Sequence, residues 1–469
     1  MNAPLYNELI SYSHSKLAFH MPGHKFGTIA DLNKLNLPCL DNTETMGMDN
    51  LYEAEGIIKE AMLLMADFYG AKETLFLTNG STAGVLASIL AVCKQGDQLI
   101  VARNAHHCVW NGLILAGVTP IYVSPEFHED EDLVGEIKAK SIEEAIKKYP
   151  DAKGILIVSP TYEGIVSDVR TIANLAHEND MTLIVDEAHG AHFVLGNEFP
   201  LSSIRQGADI VINSMHKTLP ALTQSGLLHI CSNRIKYEEL VASLRMIQTS
   251  SPSYMMMGLM DYIRCYILEY HRLIKKQYID ELVVTRRRLG GRLSVLKLIE
   301  HDHRKYDISK LVISTKNANV TGYEVAMVLN KEFSIMVEAA FDTYIILMTT
   351  MADQRETLER LEHALLMIDR YLEPTKSKES VNKFMKAGIV EGKNIRNIFY
   401  GKKKWIGLET SLGKIAADNI MLYPPGIPIV CIGETIETKH IDLIIRFRDR
   451  VQGIQTFEKR LFIQISEEE

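Results

Sequence analysis

The strongest constraint on the fold of this chain is the regular alternation of short β-branched runs with helical stretches between residues 70 and 235. Candidate strands fall at 74–78 (TLFLT), 98–102 (QLIVA), 120–123, 154–158 (GILIV), 182–186 (TLIVD), 209–212 and 227–231. Segments with helical spacing separate most of them, among them 83–92, 107–116 and 169–179. A hairpin needs only a tight turn, so helix-length crossovers imply parallel pairing and a sheet covered by helices on both faces. Sheets of this kind bind ligands beyond the carboxyl ends of their strands. The fold class expected is therefore α/β with a mainly parallel sheet.

A length of 469 residues exceeds one such unit, given a prior of roughly 150 residues per domain. Apolar residues at 46% and charged residues at 23% supply a core and exclude a disordered chain. The 51 Lys and Arg against 59 Asp and Glu leave a net charge of -8, a poor match to nucleic acid or an anionic membrane. No apolar run approaches the ~18 residues of a membrane span, and the first residues lack a signal-peptide pattern. The six cysteines form no CxxC pair, so a reducing cytoplasm is expected rather than a disulfide or zinc framework.

Beyond residue 235, a Met- and Tyr-rich helix is expected over 254–274, its YMMMGLM run packing a core or a subunit interface. It continues through a basic stretch to Arg288. A small α/β unit spans about 310–370, with strands at 310–314, 335–338 and 344–349 and helices at 323–331 and 355–371. PTKSKES (374–380) reads as a linker, GKKKW (401–405) as a solvated loop, and YPPGIP (423–428) marks a last unit.

Four segments carry chemistry, each at the carboxyl end of a candidate strand. LTNGSTAG (77–84) turns from strand to helix through small residues, and free N–H groups there favour an anion such as phosphate. The same residues also suit an ordinary turn with a helix cap. Asp186 ends an apolar strand, a costly place for a carboxylate without a cationic or hydrogen-bonding partner. Asp186, His189 and His192 would also suit part of a metal site, but no fourth ligand has diagnostic spacing, so no metal is expected. Lys217 follows the next strand between Ser214, His216 and Thr218, and a Schiff base would neutralise it. His106 closes the strand reading IVA and, taken alone, suits a capping or core role.

Together these features match the needs of pyridoxal 5'-phosphate: a carboxylate for the ring nitrogen, a lysine amine for the aldehyde, and N–H and hydroxyl donors for the phosphate. The chain further resembles the Orn/Lys/Arg decarboxylases of fold type I, in the short form found in Gram-positive bacteria. The resemblance spans nearly the whole sequence. It rests on FHMPGHKFG (19–27), DNTETMGMDNLYEAEG (41–56), FLTNGST (76–82), RNAHHC (103–108), SPTYEG (159–164), VDEAHGAH (185–192), SMHKTLPALTQ (214–224), TSSPSY (249–254), and YPPGIP with a following GE (423–434).

The resemblance implies an aspartate aminotransferase-like large domain over 46–290, after an N-terminal segment (1–45). A small α/β domain (291–373) and a C-terminal domain (374–469) would follow. It implies that Lys217 forms the Schiff base, Asp186 pairs with the pyridinium nitrogen, Ala188 packs under the ring and His106 stacks over it. Ser81, Thr82, Ser214 and His216 would hold the phosphate, and His189 would lie near the ring's phenolic oxygen or the substrate carboxylate. Thr249 and Ser250 would reach the partner subunit's phosphate in a homodimer or larger assembly, and HMPGHK would shape the entrance.

The implied reaction is decarboxylation of a basic amino acid, arginine before lysine or ornithine. An aminotransferase or lyase, with Arg103 or a small-domain arginine clamping the carboxylate, is a second reading. A silent homologue serving as a binding subunit is a third. Five positions depart from the family pattern: His107 and Cys108 replace Lys and Ser, Glu163 stands where an aromatic is common, and DNLY (49–52) stands for the usual DDLH, with Asn50 and Tyr52 in place of Asp and His. Glu163 suits either a partner for a cationic substrate or a surface residue.

Overall fold

The computed structural model describes residues 3–302, 304–378, 388–422 and 427–467. Seven strands of the large sheet fall where the alternation places them: β1 (Glu73–Leu77), β2 (Gln98–Ala102), β3 (Thr119–Val123), β4 (Gly154–Val158), β5 (Thr182–Asp186), β6 (Ile210–Asn213) and β7 (Gly226–Ile230). Their order across the sheet is β3-β2-β4-β5-β6-β7-β1. Strands β2 to β6 pair in parallel, whereas β7 runs antiparallel to both β6 and β1. Helices cover both faces, so the strands read as continuous apolar runs and are almost entirely buried.

Helix α1 (Gly80–Val92) seats closely on this sheet. A Cβ at Gly84 would lie 2.7 Å from Leu77 Cδ1 and 3.1 Å from Ile212 Cγ2, so the helix approaches only because that position is glycine. Helix α2 (Cys108–Ala116) follows β2, and the long helix α3 (Tyr254–Ile274) has the expected bounds. Met257 and Met260 on α3 are buried.

The small unit is an antiparallel sheet in the order Lys297–Leu298, Lys310–Ser314, Tyr344–Met348, Ala339–Ala340. Helices Gly322–Phe333 and Arg355–Asp369 accompany it, the first held by a capping box of Thr321 and Glu324. The N-terminal strand Leu17–Phe19 pairs in parallel with Ile335–Val337, which ties the HMPGHK segment to the small unit.

The C-terminal residues form a separate cluster around Ile420, Ile429, Ile444 and Ile463. Several contacts fasten it to the large unit, two of them at the sheet itself. Strand β8 (Ile389–Glu391) extends that sheet beside β3, and buried Arg103 meets Glu434 in a bidentate ion pair. GKKKW is not a loop: Lys403–Gly407 is a strand paired with Arg460–Ser466 at the edge of a three-stranded sheet. Lysines on an edge strand keep it solvated and discourage further pairing, which explains the basic run. Residues 423–426 of YPPGIP and 379–380 of PTKSKES lie outside the described residues.

Breaking one side of a buried ion pair strands the other charge. Glu434→Ala is therefore expected to lower stability by about 3–5 kcal/mol, read from a denaturant titration. A loss below about 1 kcal/mol would show that Arg103 finds another partner.

Candidate active site

The carboxyl ends of β4, β5 and β6 open into one cavity of about 620 Å³. The register places Asp186 beside Val158 on one side and Ile212 on the other, so its carboxylate emerges at the centre of the sheet. Lys217 follows β6 on the short helix Met215–Thr218 and lines the same cavity, as do His106, Ala188 and His189. Five residues from three separate segments of the chain thus meet in one place.

The buried Asp186 accepts a hydrogen bond from Ala188 N at 3.1 Å. Burial pushes its carboxyl upward, opposed by the nearby Lys217. Burial also weakens the Lys217 ammonium, and Asp186 opposes that shift. His106 is pushed down to about 4 by burial, with His107 and Lys217 adding repulsion, so its ring is neutral at pH 7. Burial and two neighbouring lysines, Lys217 and Lys310, hold His189 well below its usual range. Its Nε2 lies 3.1 Å from Lys217 Nζ, and its Nδ1 lies 3.3 Å from Lys310 Nζ.

The start of α1 lies next to the Lys217 helix. Ser214 Oγ donates to Ser81 Oγ at 2.7 Å, and His216 Nδ1 donates to the carbonyl of Ser225 at 2.9 Å. Gly80 has φ +73°, and a Cβ at Gly226 would lie 3.1 Å from Ser81 N. The backbone therefore closes into a tight cradle of N–H and hydroxyl groups at a helix N-terminus, with Thr218 Oγ1 and Ser225 Oγ buried and unpartnered nearby. A carboxylate and an amine on the cavity wall, with this cradle beside the helix that carries the amine, fit the ring nitrogen, aldehyde and phosphate of pyridoxal phosphate, although Ser81, Thr82, Ser214 and His216 do not themselves line the cavity.

Other sequence expectations meet mixed outcomes. Thr82 is exposed at the first turn of α1. Thr249 and Ser250 are exposed as well and do not line the cavity of their own chain, where Tyr52 instead donates to the Thr249 carbonyl at 2.7 Å. Arg103 is held by Glu434 and cannot serve as the carboxylate clamp of an aminotransferase. Arg286, at the end of the large domain, is likewise spent, donating to the carbonyls of Ile308, Lys310 and Ile299. Glu163 is not a surface residue: it is 2% exposed, lines the cavity and accepts a hydrogen bond from Tyr344 at 3.1 Å. The HMPGHK segment reaches the site, with Met21 on the cavity wall and Gly23 N donating to the His216 carbonyl at 2.8 Å.

Two residues were missed in the sequence. Glu338 lines the cavity and accepts from Tyr162 Oη and Met21 N, both at 2.9 Å. Lys310 is fully buried behind His189. Each flanks an apolar strand, the signal that singled out Asp186.

The family model of the Orn/Lys/Arg decarboxylase major domain matches residues 3–299, and that of the C-terminal domain matches residues 375–459. The chain belongs to the Orn/Lys/Arg decarboxylase family. It is a decarboxylase of the pyridoxal-phosphate-dependent class. An arginine decarboxylase of Bacillus subtilis is 32% identical over 464 residues, covering 96% of this chain and 95% of the relative. One from Halalkalibacterium halodurans is 30% identical over 453 residues, covering 94% and 92%. The crystal structure of the Francisella novicida lysine decarboxylase LdcF superposes with a TM-score of 0.76 at 19% identity, covering 99% of this chain and 81% of that one. The fold is accordingly the fold-type I arrangement, with its large mainly parallel sheet.

Proposed function

We propose that this decarboxylase removes the α-carboxyl group of a basic L-amino acid, with arginine favoured over lysine and ornithine. The observation that carries the substrate class is Glu338, an acidic group on the wall of the cavity that holds Asp186 and Lys217. A guanidinium or ammonium group there gains a charge-assisted hydrogen bond, and a guanidinium can take both carboxylate oxygens. The buried Glu163 on the same wall is a second candidate. The arginine decarboxylases among the relatives favour arginine.

Lys217 would provide the amine for the cofactor aldehyde, Asp186 would keep the ring nitrogen protonated, and Ala188 and His106 would hold the ring. Ser81, Thr82, Ser214 and His216 bind the phosphate. When bound, pyridoxal phosphate supplies the electron-accepting ring that takes up the charge left by the departing carboxylate. Among the described residues of the cavity wall there is no arginine, which leaves the α-carboxylate without the permanent clamp that transamination uses. A carboxylate must leave in decarboxylation, so a weak hold on it suits that outcome. Lys217, with His189 3.1 Å away, is placed to return a proton to the α-carbon.

Exposed Leu5, Tyr6, Leu9 and Ile10 on the N-terminal helix support a homodimer, with Thr249 and Ser250 reaching the partner's phosphate. Six unpaired cysteines support a reducing, cytoplasmic setting.

Headspace carbon dioxide measured with arginine, lysine and ornithine in turn tests the substrate. No release from any of them would reject the basic-amino-acid reading. Glu338→Gln is expected to raise KM for the preferred substrate by roughly 10- to 100-fold, the value of one charged hydrogen bond, with a smaller change in kcat. An unchanged KM would remove Glu338 from recognition and leave Glu163 to be tested.

A further inference from the structure

Lys310 is a charged side chain with no access to solvent, at the start of a strand in the small unit. Its stem is gripped by Gly164: a Cβ there would lie 2.9 Å from Lys310 Cγ, and the φ of +104° at that position also favours glycine. Its amine meets His189 Nδ1 at 3.3 Å, and His189 Nε2 meets the Lys217 amine at 3.1 Å. Two amines are thus joined through the two nitrogens of one imidazole.

With one of the two amines protonated and the imidazole neutral, that connection has two consistent proton arrangements. An ammonium group donates and cannot accept, and a neutral imidazole has one N–H. If Lys217 is the ammonium, it donates to Nε2, the imidazole proton sits on Nδ1, and Lys310 is the neutral acceptor. If Lys310 is the ammonium, every proton moves one place and Lys217 becomes the free amine. We propose that Lys310 is the internal proton acceptor for Lys217, reached through the imidazole of His189. The transfer moves the Lys217 proton to Nε2 and the Nδ1 proton to Lys310, switching the tautomer with no change in total charge and no co-reactant.

The surroundings suit the exchange. Burial lowers Lys310 to about 8, close to working pH, where an amine can both take and release a proton. Asp307 and Glu338 support its charge, as does the Glu163 carboxylate, while Lys217 and Lys25 oppose it. Asp307 is itself paired with His192 at 2.9 Å. On the other side, Asp186, Glu338 and Cys108 support the charge of Lys217. Burial, the two lysines, His106 and His216 keep His189 neutral between them. Lys217 must shed a proton in a buried place to act as a nucleophile, and Lys310 gives that proton a destination without crossing to bulk water.

This proposal rests on the reading of Lys217 as the cofactor's lysine, and the test separates the two. Full-length chain, wild type and Lys310→Met, is mixed with pyridoxal phosphate over a range of pH. Borohydride fixes the linkage, and mass spectrometry locates and quantifies it. Attachment at Lys217 in the wild type is expected, with the midpoint of the pH profile moved upward by about one pH unit in Lys310→Met, a tenfold change in proton concentration. Attachment at Lys217 with the same midpoint in a folded variant would overturn the role of Lys310 alone. Attachment elsewhere in the wild type would overturn the reading of Lys217. If the variant does not fold, ¹⁵N-histidine spectra of the unmutated chain decide. The proposal expects the His189 proton to pass from Nδ1 to Nε2 on addition of pyridoxal phosphate, and an unchanged tautomer would overturn it.

Discussion

Replacing Lys217 with alanine is expected to lower kcat by about 10⁴-fold, the largest loss of any single substitution in this protein. The size follows from the number of jobs assigned to one amine. On the proposed reading it would hold the cofactor and yield its place to the substrate amine, and its Nζ lies 3.1 Å from His189 Nε2. No neighbour can take over. Lys310 approaches His189 from the far nitrogen, and Lys25 is occupied by the carbonyls of His20 and Met348 and by Asp353 at 3.6 Å. Carbon dioxide release under saturating arginine and added pyridoxal phosphate measures the loss, with a thermal melt to confirm folding. A folded variant that keeps more than a tenth of the wild-type kcat would remove Lys217 from the chemistry. Partial rescue by a small primary amine would support its role as a proton carrier as well as an anchor.

The large sheet was legible because fully buried parallel strands leave a plain signal. GILIV and TLIVD are buried on both faces, and their bounds agree with the structure at both ends. Asp186 and Lys217 were legible for the opposite reason: a charge at the end of such a run is expensive and needs a purpose. The same rule applied to KLVIS and IMVE in the small unit would have found Lys310 and Glu338. They were passed over because nothing local connects residues 310 and 338 to a site built from residues 81–217. Only the docking of the small unit brings Lys310 to His189 and Glu338 to Tyr162. Glu163 left its two meanings open for a similar reason, since its burial depends on Tyr344, a residue 181 positions away. The basic run 401–405 misled because charge composition cannot distinguish an edge strand from a loop when both face water.

The second large effect is expected from Asp186→Ala, which separates catalysis from cofactor binding. Turnover should fall by roughly 10²- to 10³-fold, the range seen when one preorganised charge is removed from a transition state. Cofactor content should stay close to that of the wild type, since the proposed phosphate cradle of Ser81, Thr82, Ser214 and His216 is untouched. The charge balance points the same way. In the chain without this substitution, burial disfavours the Lys217 ammonium and Asp186 supports it. Removing the carboxylate therefore leaves Lys217 more readily neutral, which helps its attachment to the aldehyde rather than hindering it. A carboxylate needed only for packing or for holding the cofactor would give another pattern, with content and turnover falling together. The visible absorbance of the purified variant gives the content, and carbon dioxide release gives the turnover. Equal turnover in Asp186→Ala and wild type would end the assignment of Asp186 to the ring nitrogen, because no other described carboxylate ends a strand at the centre of this sheet.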